Sequence, residues 1–589
     1  MQVPQPTSPA TPAGNRNSQQ SHENPPVEST SNADLDSGEK SPPADVEPAL
    51  QPALLPDEGS EDSESDKYLH GTPLILMALS LMIGVLTVAL DNSIISTAIP
   101  KMTSEFNSLS DVPWYGTIYL LAQMSFQPTF GKMYTFFNLK WIYLGAGVLF
   151  EVGSIICAAA PNSAAFILGR AVAGFGASGL YCGSMIIISQ IVEMRKRPLF
   201  LGIISSMFGV ASVIGPALGG VFTHSERLTW RFCFWINLPL GGLTGAIICF
   251  YYPATLGGAV NKDRPLKQKL LGLGLKSAVI LTATLVCLFL ALQWGGSVYP
   301  WRDSRVWGCL LGFGFLLILF SYIQVRQKEE YEASSPNFQY LAKTSSALIP
   351  LRILSQRSVL LGCLFSCLFQ GAMMTQAYHL PFYFQAVKGD DPQESGINIL
   401  PHGVTVSIAT LISGTAMTLS GYYVPFMWFG AALFTTGGGL LYTLSQSSPI
   451  GRWFGFQLMA GAGYGTTVQI PIFAIQVVLS TADIPLGTTM VIIAQSFGGA
   501  VGLAIAQNVF QNFLSLELNK IKGINVAAVV AAGGVELEKV VPSRLLALVR
   551  DAFQVAIANA FLVAVGLGGV AFLASLGMER KRINKSKSS

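Results

Sequence analysis

Charge is what this 589-residue chain has least of. Only 12% of its residues are charged, against about 25% in a soluble domain, while 51% are hydrophobic and the mean hydropathy is +0.48. An ordinary soluble domain is thereby excluded, and a polytopic membrane protein is indicated. No P-loop motif is present, so ATP is not expected to drive it. The five histidines (His22, His70, His224, His379, His402) are scattered. The eight cysteines (157, 182, 233, 249, 287, 309, 363, 367) fall in apolar segments, none at metal-ligand spacing from a histidine. A metal centre, a disulfide framework, a membrane-embedded enzyme and any cofactor are therefore not expected. With no basic patch, a nucleic-acid partner is not expected either. No basic stretch precedes an early apolar run, so no cleaved signal peptide is expected. The single N-x-S/T sequon, Asn584–Ser586, falls in a tail assigned below to the cytosol.

Charge is also unevenly distributed. Residues 1–69 hold 13 of the 33 acids but only three of the 36 Lys and Arg (Arg16, Lys40, Lys67). Rich in Pro, Ser, Glu and Asp, this segment cannot bury enough apolar surface to offset the entropy of ordering, and a disordered acidic cytosolic tail is expected, with "GSEDSESD" a candidate for phosphorylation.

Crossing about 30 Å of hydrocarbon takes roughly 20 apolar residues. Fourteen runs qualify, at 71–98, 112–133, 140–160, 164–190, 198–222, 232–252, 271–293, 305–325, 358–385, 396–418, 422–444, 452–478, 486–510 and 553–577. Runs of this length satisfy their backbone in lipid as helices, so the fold expected is all-α and integral to the membrane. An even count puts both termini on one side. Basic segments at 193–198, 261–269, 326–357 and 579–589 share that side, which is therefore the cytosol. Trp114, Trp141, Trp230, Trp294, Trp301 and Trp453 sit near span ends, as interfacial aromatics do. The mildly apolar 511–552 loop is a candidate for a helix on the outer surface.

The chain echoes itself. "GRAVAGFG" (169–176) and "FQLMAGAG" (456–463) match at an offset of 287 (461 − 174), and Phe208-Gly209 matches Phe497-Gly498 at 289 (498 − 209). Two echoes in nearly one register indicate a duplicated half. The expected plan is a tail at 1–69, a six-helix bundle at 70–252, two inserted helices and a cytosolic connection at 253–357, a second bundle at 358–577 and a basic tail at 578–589. Parallel repeats of this kind are the plan of a rocking secondary transporter.

Only two acids lie inside the spans, Asp91 and Glu151, and the embedded strong base is Arg170. A charge in hydrocarbon is costly and marks a functional candidate. Glu151 and Arg170 flank the turn at Pro161-Asn162 at similar depths, so a structural ion pair between them is the leading expectation, with Glu151 also a candidate for proton coupling beside Asp91 and Arg170. Asp91, between burial that disfavours its charge and a cation that favours it, suits a proton carrier. In "GVASVIGPALGGVF" (209–222), four glycines and Pro216 weaken a helix and let neighbours approach, which points to a hinge or sealing seam. Lys132 and Lys276 sit near span ends, where lysine can snorkel. Tyr119, Gln123 and Gln127 share one face of span 2, and Gln370, Gln376, Tyr378 and His379 lie in span 9. These are candidate substrate-cavity residues.

"LDNSIISTAIP" (90–100), "GRAVAGFGASG" (169–179), "GVASVIGPALGG" (209–220), "WRFCFWINLPLGG" (230–242) and "HLPFYFQAVKGDDPQESGINILP" (379–401) together resemble the fourteen-span drug:proton antiporters of the major facilitator superfamily. Segments like "GKMYTFFNLKW" (131–141) and "AQNVFQNFL" (506–514) are similar to fungal multidrug and mycotoxin efflux pumps. The resemblance implies Asp91 and Arg170 in proton coupling. It places Gly209, Gly215, Pro216, Gly219 and Gly220 in an antiporter seam, and Gly131 and Lys132 in a cytosolic gate. One position departs from the pattern: Thr135-Phe136-Phe137 stand where an acid usually follows the Gly-Lys, which puts the gate's charge latch in question.

The expected function is proton-coupled efflux of small organic compounds by a monomer in the plasma membrane. The alternatives are a vacuolar location, a proton-coupled importer of a nutrient, siderophore or basic amino acid, and a non-transporting receptor or scaffold.

Overall fold

The computed structural model describes residues 68–106, 111–225, 227–253, 266–295, 299–332, 347–532 and 537–582. The acidic tail (Tyr68 and Leu69 apart), most of the 253–265 and 333–346 connections and the last seven residues lie outside the described residues. So do the expectations attached to them.

Long apolar runs become long helices: α1 (Gly71–Phe106), α2 (Val112–Phe136), α3 (Leu139–Ala158), α4 (Ser163–Ile191), α5 (Arg197–His224), α6 (Asn237–Tyr251), α7 (Leu275–Trp294), α8 (Ser304–Glu332), α9 (Arg357–Phe382), α10 (Pro392–Ser420), α11 (Val424–Tyr442), α12 (Ile450–Thr467), α13 (Ile484–Leu518) and α14 (Ser543–Leu576). Local chemistry sets their ends. Asn138 and Asn162 cap α3 and α4 by accepting from the backbone N–H of Lys140 and Ala165, and Asp391 caps α10 by accepting from Glu394. Gly421 closes α10 at φ +74°, a conformation that favours glycine.

Among the described residues, thirteen helical spans are long and apolar enough to cross a membrane, and the protein is a multi-pass membrane protein. The helix outside that set is α2. Its 25 residues reach about 37 Å, ample for a bilayer, but Gln123, Gln127 and Lys132 make it more polar than its neighbours. Three spans are irregular. A four-residue helix, Phe232–Trp235, precedes α6 across a break at Ile236. α9 runs on into a π-helical turn, Tyr383–Lys388, and α12 is followed after a break by a separate helix, Ile470–Val478. The 511–552 segment does carry helix: α13 runs on to Leu518, α14 starts at Ser543, and Val526–Ala532 and Leu537–Val540 lie between them.

The duplication read from glycine echoes is repeated in the packing. α1 packs on α5 and α6, α2 on α4, and α3 on α4 and α6; α9 packs on α13 and α14, α10 on α12, and α11 on α12 and α14. Close approaches repeat with it. Gly153 abuts Ala173 as Gly437 abuts Ala460, and Gly176 abuts the Phe150 backbone as Gly463 abuts that of Phe434. The halves meet along two related seams, α5 with α10 and α2 with α13.

The inserted pair α7–α8 lies along one of these seams. Ala278, Leu281 and Leu285 of α7 cluster with Met124 of α2, Phe320 of α8 and Phe497 of α13. Trp301, between α7 and α8, donates to Asn508 Oδ1 of α13 at 3.0 Å.

Candidate functional site

Asp91 sits on α1 where α1, α4 and α6 converge, and neither it nor Arg170 is exposed. Arg170 Nη1 pairs with Asp91 Oδ2, and Arg170 Nε donates to the Tyr115 carbonyl at 3.0 Å. The guanidinium carbon stands 4.2 Å from the centre of the Tyr119 ring and 5.9 Å from that of Phe234. Such stacking suits a weakly hydrated, delocalised cation. Tyr119 Oη donates to the Val88 carbonyl at 3.3 Å, so this residue braces the ion pair. The second Asp91 oxygen accepts from Asn237 Nδ2 at 3.0 Å, and the same nitrogen donates to Ser154 Oγ of α3 at 3.0 Å. A fully buried carboxylate is thus held between a cation and a neutral amide.

Glu151 corrects an expectation. The cation beside it in the sequence reading, Arg170, is engaged by Asp91 instead. The Glu151 carboxylate turns to α6, where its Oε1 occupies the space a side chain on Gly241 would need, and its buried Oε2 has no hydrogen-bond partner. Depth along a hairpin fixes height but not direction around each helix.

The glycine-rich part of α5 faces two ways, and α5 runs unbroken through Pro216. Gly209 faces the other half, where a Cβ would collide with Ser407 Oγ and the Gly403 carbonyl of α10. Gly215 and Gly219 face α1 within their own half, against Ser93, Ile94 and Thr97, while Gly220 has open space beside it. The cross-half seam thus uses Gly209, and Gly202 against the Thr410 carbonyl, rather than the glycines around Pro216.

Gly131 lies on the second seam, its Cα facing the Thr489 side chain of α13. Lys132 is fully buried and donates to the Gly272 carbonyl at 3.0 Å, at the end of the short helix Leu266–Gly272. Other cross-half bonds cluster nearby. Cys182 Sγ and Thr489 Oγ1 are 2.9 Å apart, Gln476 Nε2 donates to the Met185 carbonyl at 3.5 Å, and Ser407 Oγ donates to the Ser206 carbonyl at 3.2 Å. All of these lie toward the end bearing the basic 193–198 turn. Asp91 lies toward the opposite end, opposite Arg170, seven residues or about 10 Å into α4.

The cavity candidates divide. Gln127 accepts from Ser496 Oγ of α13 at 3.5 Å across the seam, and Gln123 is partly buried. Gln370 accepts from Tyr464 Oη of α12 at 2.6 Å. Gln376 is buried against Gly438 with both amide atoms unpartnered, and His379 Nδ1 is 2.8 Å from the Thr375 carbonyl. Tyr378 is exposed, on the same face as Leu360 and Leu364. Asn237 was missed in the sequence. Its signal was an amide inside the aromatic and apolar run "FWINLP", which pays off only once its partners are known.

The profile of the Major Facilitator Superfamily matches residues 81–503. The MFS-type transporter ltbE of Aspergillus luteorubrus is 43% identical over 534 residues, 90% of this chain and 94% of its own. The efflux pump roqT of Penicillium rubens is 38% identical over 550 residues, 93% and 98% of the two chains. The MFS-type efflux pump MFS1 of Trichophyton rubrum is 38% identical over 531 residues, 90% and 95%. Among solved structures, the human organic anion transporter MFSD10 (TETRAN) has a TM-score of 0.55 at 14% identity, covering 86% of this chain and all of that one. The proton:xylose symporter XylE has 0.55 at 12%, covering 86% and 96%. These two share the fold.

Proposed function

This chain belongs to the major facilitator superfamily and is a membrane transporter rather than an enzyme, and from that premise we propose that it exports small organic compounds in exchange for protons. The observation that carries the coupling is the buried Asp91–Arg170 pair bridged by Asn237. An ionised acid at that depth is costly unless it is compensated, and here the compensation comes from one cation and one neutral amide while Arg170 Nη2 is left without a partner, a balance that supports a site able to take up and release a proton. The seams support a direction. With the halves joined toward the basic-loop end, the opposite end is the one from which Asp91 receives its proton. Rocking then parts α5 from α10 and α2 from α13, opens the other side, and lets the proton leave inward as substrate moves out.

Relatives named efflux pumps support the outward direction, and the reading takes the cargo to be toxins, secondary metabolites or drugs, moved across the plasma membrane by a monomer. The test is accumulation and toxicity of a compound panel in a pump-deleted fungal host. Efflux should collapse with a protonophore while cellular ATP is held constant. Export that survives the protonophore overturns antiport.

A further inference from the structure

We infer that Asn237 sets the proton affinity of Asp91 and follows its charge by turning its side-chain amide over. This rests on the proton-coupling reading of Asp91 and adds a positioning residue to it. As the amide stands, Nδ2 serves both Asp91 Oδ1 and Ser154 Oγ at 3.0 Å, while Asn237 Oδ1 is buried with no hydrogen-bond partner. Asp91, Ser154 and Asn237 are all fully buried.

That arrangement fits one charge state only. An ionised carboxylate only accepts, and Asn237 donates to it; a protonated one gains an O–H that needs an acceptor. Protonation at Oδ1 would set the Asp91 O–H against the Asn237 N–H. A half-turn of the amide removes the conflict, because Oδ1 then accepts from Asp91 while the Ser154 hydroxyl rotates from accepting to donating. The cost is asymmetric. In the ionised state the leftover atom is one acceptor, whereas in the protonated state it is the amide NH₂, a costlier group to leave unpaired. Asn237 therefore favours proton release, alongside Arg170. Glu151, with an unpartnered oxygen, lies one turn from Ser154 on α3 and faces Gly241, one turn from Asn237 on α6. The other titratable groups that sense Asp91 are Tyr119 on α2, Cys157 on α3 and Cys233 just before α6.

The test uses the proton as the only ligand. The full-length protein in nanodiscs is titrated by infrared difference spectroscopy, and the carbonyl stretch of a protonated carboxyl that disappears in Asp91→Asn is assigned to Asp91. In Asn237→Leu the midpoint of that band should move to higher pH by about one unit, the loss of one hydrogen bond to a charged group. In the parent protein a side-chain amide band should change with the same midpoint, and Asn237→Leu should abolish it. An unmoved midpoint, or no amide band following the carboxyl, overturns the inference. Should Asn237→Leu not fold, Asn237→Ala is the second variant: it loses the same bond, so its midpoint must also rise, and an unmoved midpoint there overturns the inference. If no band in the parent is lost in Asp91→Asn, the coupling reading itself fails, and that outcome is distinct from the failure of Asn237.

Discussion

Asp91 of α1 and Arg170 of α4 lie 79 residues apart in the chain and form an ion pair in which neither side chain reaches solvent. Removing one member of such a pair strands the other in a low-dielectric interior, at a cost of about 3–5 kcal/mol. Arg170→Ala should therefore cut the amount of folded protein in the membrane, as read by fluorescence size-exclusion profiles. Asp91→Asn also leaves the Arg170 charge without its counter-ion, but it keeps the shape and imitates the protonated state that the proposed cycle visits, so it should fold with a lowered Tm. In proteoliposomes it should nonetheless lose proton-driven transport by on the order of tenfold or more while substrate binding persists. Asp91→Glu should keep partial activity with a displaced pH optimum. Normal pumping by Asp91→Asn means that the carrier is another residue.

Glu151 gives the complementary test. Had it been the structural partner of Arg170, neutralising it would destabilise the protein. It faces Gly241 instead, with one oxygen unpartnered, so Glu151→Gln removes a buried charge without stranding a cation. Expression and Tm should be equal to or above those of the parent. A clear drop in Tm would show that its charge is engaged after all.

Much of this architecture was legible because a bilayer leaves the backbone few choices. Apolar run lengths located the spans, and paired glycines such as Gly174 and Gly461 marked the repeat because each lets a helix backbone approach, at the Tyr119 and His402 carbonyls respectively. What was not legible depends on direction around a helix axis. Glu151 and Arg170 had matching depths but point to different neighbours. Lys132, placed near a span end to snorkel, is fully buried and finds the Gly272 carbonyl. Tyr378 shares its span with Gln376 and His379 but not their burial.

At the end of the molecule away from the basic turn, Glu105 accepts from Trp230 Nε1 at 2.6 Å and from Arg231 Nη1 at 2.7 Å. Partial burial by itself would raise this carboxyl, but the Trp230 and Arg231 hydrogen bonds and the nearby Arg231 and Lys101 charges outweigh it and hold it below its ordinary value of 4.5. A depressed folded-state value means the stabilisation is complete above the unfolded value and fades as pH falls through the folded one. Glu105→Gln should thus lower Tm at neutral pH, and the difference from the parent should shrink once the pH drops below about 4.5. A difference that persists at low pH would assign the effect to packing rather than charge.

The α5–α10 seam can be opened by volume alone. Ser407 Oγ donates to the Ser206 carbonyl at 3.2 Å, and Gly209, one turn further along α5, leaves no space for a side chain beside Ser407. Overpacking a close contact costs about 1–3 kcal/mol. If that cost falls only on the state with this seam closed, it shifts the balance between states by roughly 5- to 150-fold. A Ser206→Cys/Ser407→Cys pair should cross-link readily in an otherwise unaltered chain. Adding Gly209→Val should reduce the yield several-fold and expose the α5–α10 face to thiol reagents from the basic-loop side. Gly220→Ala, beside open space, should leave the yield as it was. If Gly209→Val cross-links as readily as the parent, α5 and α10 do not part there during the cycle, and the rocking axis lies elsewhere.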